Sequence, residues 1–471
     1  MKVSRRGFLL ATVSALAINS VTSAEAGLHF HGLSSGTALP QQANLVTRFS
    51  ADSLALSNGA SVTSWTDSIN GIVAGTAVAM VPTFLTNAQG SKPAVRTVGT
   101  GGLSIATPGV LRTAVDAKEY TVFIAAKVQG AFFGVGTPFS CTTGGDSFLF
   151  FMDSQSGLGR YGGDSSLAAP YYTTNQFATL GYTVTQNLGG IGQAVENYYT
   201  AGGCFYARNN SGQGSGAHTF SIGTDAGNNF PSTCDIFEIL VWNVRLTPTQ
   251  MVQAEKWARD KYSLPYPWAA TPKIMTVFGD SISQGVGAGG TANGPSGIVN
   301  SVVNTPAYQA AQTAGLPFGT WNNLSVGSIQ IDQLNTLAPT EIDPLAVAYG
   351  KTHAVVTFEW TNQRIAVTTN GATYLAARKA IANQQTVWGT STGFSGDPDA
   401  TRNSYDAAWD ALATPLPANA DAYMAIHTST QIGTSGAFAA HPANWSDTLH
   451  LSATGYPFLA AFMSTGFNAL P

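Results

Sequence analysis

At 471 residues the chain is too long for one ordinary core, so two domains are expected. Only 10% of the residues are charged while glycine contributes 51, a balance that suits a loop-rich exported β protein better than a charged cytosolic enzyme. The formal charge of −4 comes with no run of Lys or Arg, which argues against nucleic acid as a partner.

The N-terminus reads as an address. Ser4-Arg5-Arg6-Gly7-Phe8-Leu9-Leu10 has the twin-arginine pattern, an apolar segment follows, and Ala24-Glu25-Ala26 offers a small-residue cleavage site. Residues 1–26 are expected to be a signal peptide and the protein periplasmic or secreted; an ordinary secretory signal would give the same destination. No other stretch approaches the ~20 apolar residues of a membrane span. Cys141, Cys204 and Cys234 allow one disulfide, with Cys204–Cys234 the favoured pair, or a set of buried thiols. Their spacing fits no zinc pattern, and no metal is expected.

From 27 to 262 the chain predicts an all-β sandwich. Short apolar runs such as "YTVFIAAKV" (120–128), "SFLFFMD" (147–153) and "CDIFEILVWNV" (234–244) are separated by Gly, Asn, Ser and Asp. The period then changes to that of a helix over 246–262. Thr247 is its cap, Pro248 its first turn, Gln250 completes a capping box, and Met251, Ala254, Ala258 and Tyr262 share one face. Residues 263–272 hold three prolines and read as a semi-rigid linker.

After the linker, apolar strands alternate with helices. Strands are predicted at 273–279, 353–360 and 422–428, and helices at 305–315, 374–385 and 452–467, which implies a parallel sheet covered on both faces.

The strand "KIMTVFG" runs directly into Gly279-Asp280-Ser281, and Asp447-Thr448-Leu449-His450 stands near the C-terminus. A serine, an imidazole and a carboxylate are the parts of an activated nucleophile: the base takes the hydroxyl proton and the acid fixes the base's tautomer. Three decoys are set aside. Gly285–Gly290 matches G-x-G-x-x-G, but begins past the strand end and has no acidic residue about twenty positions on, so it reads as a flexible loop and no cofactor is expected. The G-x-S-x-G strings at 32–36 and 389–393 lack the strand and helix of a nucleophile elbow.

"VFGDSIS", "NNLSVGS" (322–328), "WTNQ" (360–363) and "DTLHLSATGY" (447–456) occur in the order of the four blocks of the GDSL/SGNH hydrolases, which 273–471 resembles. The resemblance implies a three-layer α/β domain of flavodoxin-like type with Ser281 as nucleophile, His450 as base and Asp447 as its carboxylate. It implies an oxyanion hole from the N–H groups of Ser281 and Gly327 and the amide of Asn362. Trp360 and Gln363 depart from the third block, where the family has Gly and Asp. In the first half, "LVTRFSADSLALSNGASVTSWTDSING" with its Trp65-x-Asp67, "SKPAVRT", and a closing strand followed by a short helix ending in "KY" resemble concanavalin A-like (laminin-G-like) jelly rolls.

The multidomain chain is therefore expected to be an exported serine esterase cutting acyl, chiefly acetyl, esters from a polysaccharide that its jelly roll helps to localise. A general carboxylesterase or lipase, or a weakly catalytic carbohydrate-binding adhesion protein, are the alternatives. Tyr171, Tyr172, Tyr198 and Tyr199 are either sugar-stacking platforms or core aromatics. His441 is the alternative base, and His29, His31, His218, His353 and His427 are expected to be structural or exposed.

Overall fold

The alternation of "YTVFIAAKV" builds the middle of the β half. Leu45–Ser50 forms β1, Thr83–Gln89 β2, Lys92–Thr97 β3 and Tyr120–Ala131 β4; Phe177–Thr185 forms β5, Val195–Thr200 β6, Gly203–Ala207 β7 and Ser232–Trp242 β8. Tyr120, Val122, Ile124, Ala126 and Val128 of β4 point into the sandwich core, while Phe123 and Ala125 point the other way. A computed structural model describes residues 36–76, 80–99, 101–131, 135–142, 148–153, 158–161, 166–167, 175–200, 203–207, 219–224, 232–288, 304–317, 319–358, 362, 367–395, 399–416 and 418–471. Residues 38–471 cluster as one unit; the expected signal peptide, Tyr171, Tyr172, Trp360 and Gln363 lie outside the described residues.

A second, eight-stranded antiparallel sheet packs on the first, and Trp65, Phe139, Phe220 and Ile222 fill the space between them. The Trp-x-Asp motif is a structural clip. Trp65 Nε1 donates to the Ser50 carbonyl at 3.1 Å, and the buried Asp67 carboxylate accepts the N–H groups of Arg48, Ile69 and Asn70 at 2.6, 3.0 and 2.8 Å.

Tyr198 and Tyr199 are buried at 1% and 3% exposure, so they are core aromatics and not sugar platforms. The expected Cys204–Cys234 disulfide does not form either. Strands β4, β5 and β6 separate β7 from β8, a gap of four strand spacings or about 19 Å, far beyond disulfide reach. Cys234 is a buried free thiol that burial pushes up to about 12.

Helix α1 (Pro248–Lys261) lies where the capping signals put it. Gln250 N–H donates to Thr247 Oγ1 at 3.3 Å, Thr247 N–H donates to Gln250 Oε1 at 2.9 Å, and Met251, Ala254, Ala258 and Tyr262 are buried. The proline-rich stretch that follows is packed, not extended into solvent: Trp268 is buried, stacked on Tyr266 at 5.4 Å and edge-on to Tyr349.

The α/β half contains β9 (Lys273–Val277), α2 (Ser281–Gln284), α3 (Pro306–Thr313), β10 (Trp321–Asn323), α4 (Ile331–Glu341), β11 (Thr352–Thr357), α5 (Val367–Lys379), β12 (Gln384–Gly389), α6 (Asp399–Ala413), β13 (Ala422–Met424) and α7 (Tyr456–Asn468). Its five strands are all parallel, in the order β13-β12-β11-β9-β10. Neighbouring residues of β12 show the layering: Val387 faces the core of α3 and α7, while Trp388 faces that of α4, α5 and α6. The predicted helix 374–385 is displaced: α5 starts at Val367 and ends at Lys379, and residues 384–385 open strand β12. Strand β10 also pairs in parallel with β7, Phe205 opposite Asn323, which makes the two halves share one sheet.

His353 is structural, at the centre of this sheet. Its Nε2 meets Thr276 Oγ1 at 2.7 Å and its Nδ1 meets Gln384 Oε1 at 3.3 Å. Burial lowers it from 6.5 to about 4, so between those pH values the unfolded chain binds a proton that the folded chain refuses. Stability should therefore fall as pH drops through that window, by on the order of 3 kcal/mol from this group. Urea midpoints measured from pH 7 to 4.5 should decline, and His353→Gln should flatten the decline; an unchanged slope would remove His353 as its source.

Candidate active site

The strand order fixes where a site can lie. In chain order the strands of the α/β half run 2-1-3-4-5, so the connections leaving β9 and β11 diverge to opposite faces and open a crevice at their carboxyl ends. Ser281 stands at that crevice, one turn beyond β9.

The turn that carries Ser281 is held from three sides. Asp280 caps α2, its Oδ1 accepting the Ile282 N–H at 3.0 Å. Gly279 N–H donates to Ser325 Oγ at 3.1 Å, and Val326 N–H donates to the Gly279 carbonyl at 2.9 Å, which docks the Gly327 loop against the turn. Asn323 Nδ2 donates to the carbonyls of Ser283 and Gln284. Gly279 is required by close approach: a Cβ there would lie 2.2 Å from Ser283 Oγ and 2.8 Å from the Phe358 carbonyl. Gly279→Ala should cost about 1–3 kcal/mol of stability and displace Ser281, read as a lowered unfolding midpoint together with slower reaction at Ser281.

The imidazole that meets Ser281 comes from the far end of the chain. His450 Nε2 lies 3.0 Å from Ser281 Oγ, and His450 Nδ1 lies 2.8 Å from Asp447 Oδ2. The three-residue spacing works because Asp447 Oδ1 accepts the N–H groups of both Leu449 and His450 at 2.7 Å, curling the loop back on the carboxylate. Partial burial pushes the Asp447 carboxyl up, but these N–H groups and the imidazole more than offset it, and the group titrates below the ordinary 3.8. His450, not His441, meets the serine.

Gly285 and Gly287, the first part of the stretch expected to be a flexible loop, are packed where these two loops meet, and Gly289 and Gly290 lie outside the described residues. Gly285 takes φ 94° to end α2, and a Cβ on Gly287 (φ 89°) would lie 2.2 Å from Ser446 Oγ and 2.6 Å from the Leu451 carbonyl, both in the His450 loop. Tyr456 Oη adds a hydrogen bond to the Val286 carbonyl at 2.6 Å.

Gly327 sits on a turn closed by Ile329 N–H to the Val326 carbonyl, with Ser328 at φ 63°. Among the described residues no carbonyl takes the N–H of Ser281 or of Gly327. Asn362 reaches the same place: its Nδ2 donates to the Ile329 carbonyl at 3.1 Å and lies 3.4 Å from Asp280 Oδ2. Of the residues expected from the sequence, Ser281, His450 and Asp447 are hydrogen-bonded in a row. Asp280, Asn323 and Ser325, which support the turn, lie inside the quoted blocks but are given no role there. The string 389–393 follows strand β12 after all, yet no helix starts on it, and Ser391 is buried with its Oγ donating to the Thr392 carbonyl.

No family model and no curated protein matches the chain. Solved structures similar to it include the sialidase of Trypanosoma rangeli (16% identity over 47% of this chain and 33% of that one, TM-score 0.33). Another is domain 4 of an extracellular GH43 arabinanase from Geobacillus stearothermophilus in complex with arabinotriose (17% identity, 44% and 96% coverage, TM-score 0.33). The chain thus spans about a third of the sialidase's length. These are a sialidase and an arabinanase module, not ester hydrolases. On that finding the expectation of an exported esterase acting on acyl groups of polysaccharide is corrected.

Proposed function

We propose that the chain is a hydrolase with a nucleophilic serine, Ser281, and that its β half directs it to carbohydrate. One observation carries this reading: an unbroken hydrogen-bonded chain from Ser281 through His450 to Asp447, at the crevice of the parallel sheet. His450 Nε2 takes the Ser281 proton as Oγ attacks, and Asp447 holds the other ring nitrogen protonated and stabilises the imidazolium. The negative oxygen that develops is met by the N–H groups of Ser281 and Gly327, with Asn362 joining by giving up its 3.4 Å contact to Asp280. His450 passes the proton taken from Ser281 to the leaving group as its bond to the attacked centre breaks. Neutral again, it takes a proton from water, whose attack releases the Ser281 adduct and returns the proton to Oγ.

The block order and this geometry support a GDSL/SGNH-type reading of 273–471, and the 2-1-3-4-5 strand order supports a flavodoxin-like three-layer domain. The two facing antiparallel sheets of the preceding half support reading 27–262 as a jelly roll, and the twin-arginine pattern at 4–10 supports export behind the segment 1–26.

The test is covalent labelling of the purified full chain with a fluorophosphonate, followed by peptide mapping. A single adduct on Ser281 that disappears in Ser281→Ala is the expected result. No adduct, or one on another residue, removes the nucleophile.

A further inference from the structure

We infer that the outer face of the β half carries a pocket for a saccharide bearing a carboxylate, formed where Arg96, Asp235 and Lys127 line up across three strands. Asp235 on β8 is the register partner of Arg96 on β3 and of Lys127 on β4, so the three side chains form one row. They project on the face of Ala94, Ala125 and Phe237, opposite the sandwich core. The row floors a cavity of about 530 Å³, open to solvent, a size within the usual range for small-molecule sites.

The charges do not balance within the pocket. Asp235 is 2% exposed and both of its oxygens are occupied: Arg96 Nε and Nη2 donate to Oδ1 and Oδ2 at 2.6 and 2.8 Å, and Gln129 Nε2 donates to Oδ2 at 3.0 Å. One carboxylate thus serves two cations. Lys127 Nζ spends one donor on the Ala88 carbonyl at 2.6 Å, and among the described residues its two other donors and the Arg96 Nη1 edge have no partner. Two cations and one carboxylate, with the Gln129 amide beside them, thus make the floor net positive and richer in donors than in acceptors among the described residues.

The rim sets the rest of the ligand. Asn58, Asn87 and Asn175 surround the opening with Thr86. Amides both donate and accept, which suits sugar hydroxyls, whereas a bare phosphate would use only the donors. A carboxylate on the Arg96–Lys127 floor with hydroxyls on the amide rim satisfies both sets. The pocket uses none of the residues around Ser281, and its occupancy is read without turnover, so it stands or falls apart from the serine assignment.

Isothermal titration of the full chain with trigalacturonate, with neutral cellotriose and with inorganic phosphate tests this. Trigalacturonate should bind and cellotriose should bind at least about tenfold more weakly, consistent with loss of a charge-assisted contact. Lys127→Gln, which keeps a donor for Ala88, and Asn87→Ala on the exposed rim should each weaken trigalacturonate severalfold or more with unchanged circular dichroism. Equal affinity for cellotriose, competition by phosphate at matched concentration, no heat with trigalacturonate, or indifference to both substitutions would each overturn the proposal.

Discussion

Asp447→Asn is expected to slow fluorophosphonate reaction at Ser281 by ~10⁴-fold, a loss of the size seen when a triad carboxylate becomes an amide. The reason lies in which nitrogen carries the proton. Asp447 Oδ1 is fixed by two N–H groups, so an asparagine would keep its oxygen there and turn its NH₂ toward His450 Nδ1. The ring would then accept at Nδ1 and carry its proton on Nε2, leaving nothing to take the Ser281 proton across the 3.0 Å contact. The loop keeps its hydrogen bonds, so the unfolding midpoint should hardly move. The second-order rate constant of labelling is the measurement, and a loss below tenfold would mean that Asp447 does not set the tautomer.

That substitution also bears on how much of the site could be read in advance. "GDS" and "DTLH" are legible because each is a local device: a strand end with a capping aspartate, and a carboxylate that curls its own loop. Their meeting is not local. It depends on α7 and on Gly287 packing beneath Ser446, and nothing in either string states it. The fold shows the same division. Helix α1 was readable because Thr247, Pro248 and Gln250 act within one turn. Strand β12 was not: it opens with two glutamines, Gln384 turned inward to His353 and Asp343, and parallel strands covered on both faces show no alternation. Strand β10 is three residues long, too short for any period. Tyr198 and Tyr199 are both buried because β6 is covered on both faces, so neither neighbour in the pair is left for a ligand.

The joint between the halves predicts the largest loss of stability. Arg245, on the turn between β8 and α1, donates from Nη1 and Nη2 to Glu341 Oε1 and Oε2 at 2.9 and 2.6 Å, at the end of α4. The side chains are 9% and 2% exposed, and Asn197, with its side-chain oxygen turned inward, takes Arg245 Nε at 3.2 Å. Arg245→Met would take both guanidinium donors from the buried Glu341 carboxylate, whose contact to Thr340 Oγ1 is a long 3.4 Å. The expected cost is ~3–5 kcal/mol, because removing one partner leaves the other's desolvation uncompensated. Arg245→Met with Glu341→Leu should recover most of it, since the buried charge is then gone as well. Urea unfolding of the two variants decides the matter. A loss under about 1 kcal/mol in Arg245→Met would show that water reaches the pair, and that the shared sheet and the packing of α1 hold the halves together without it.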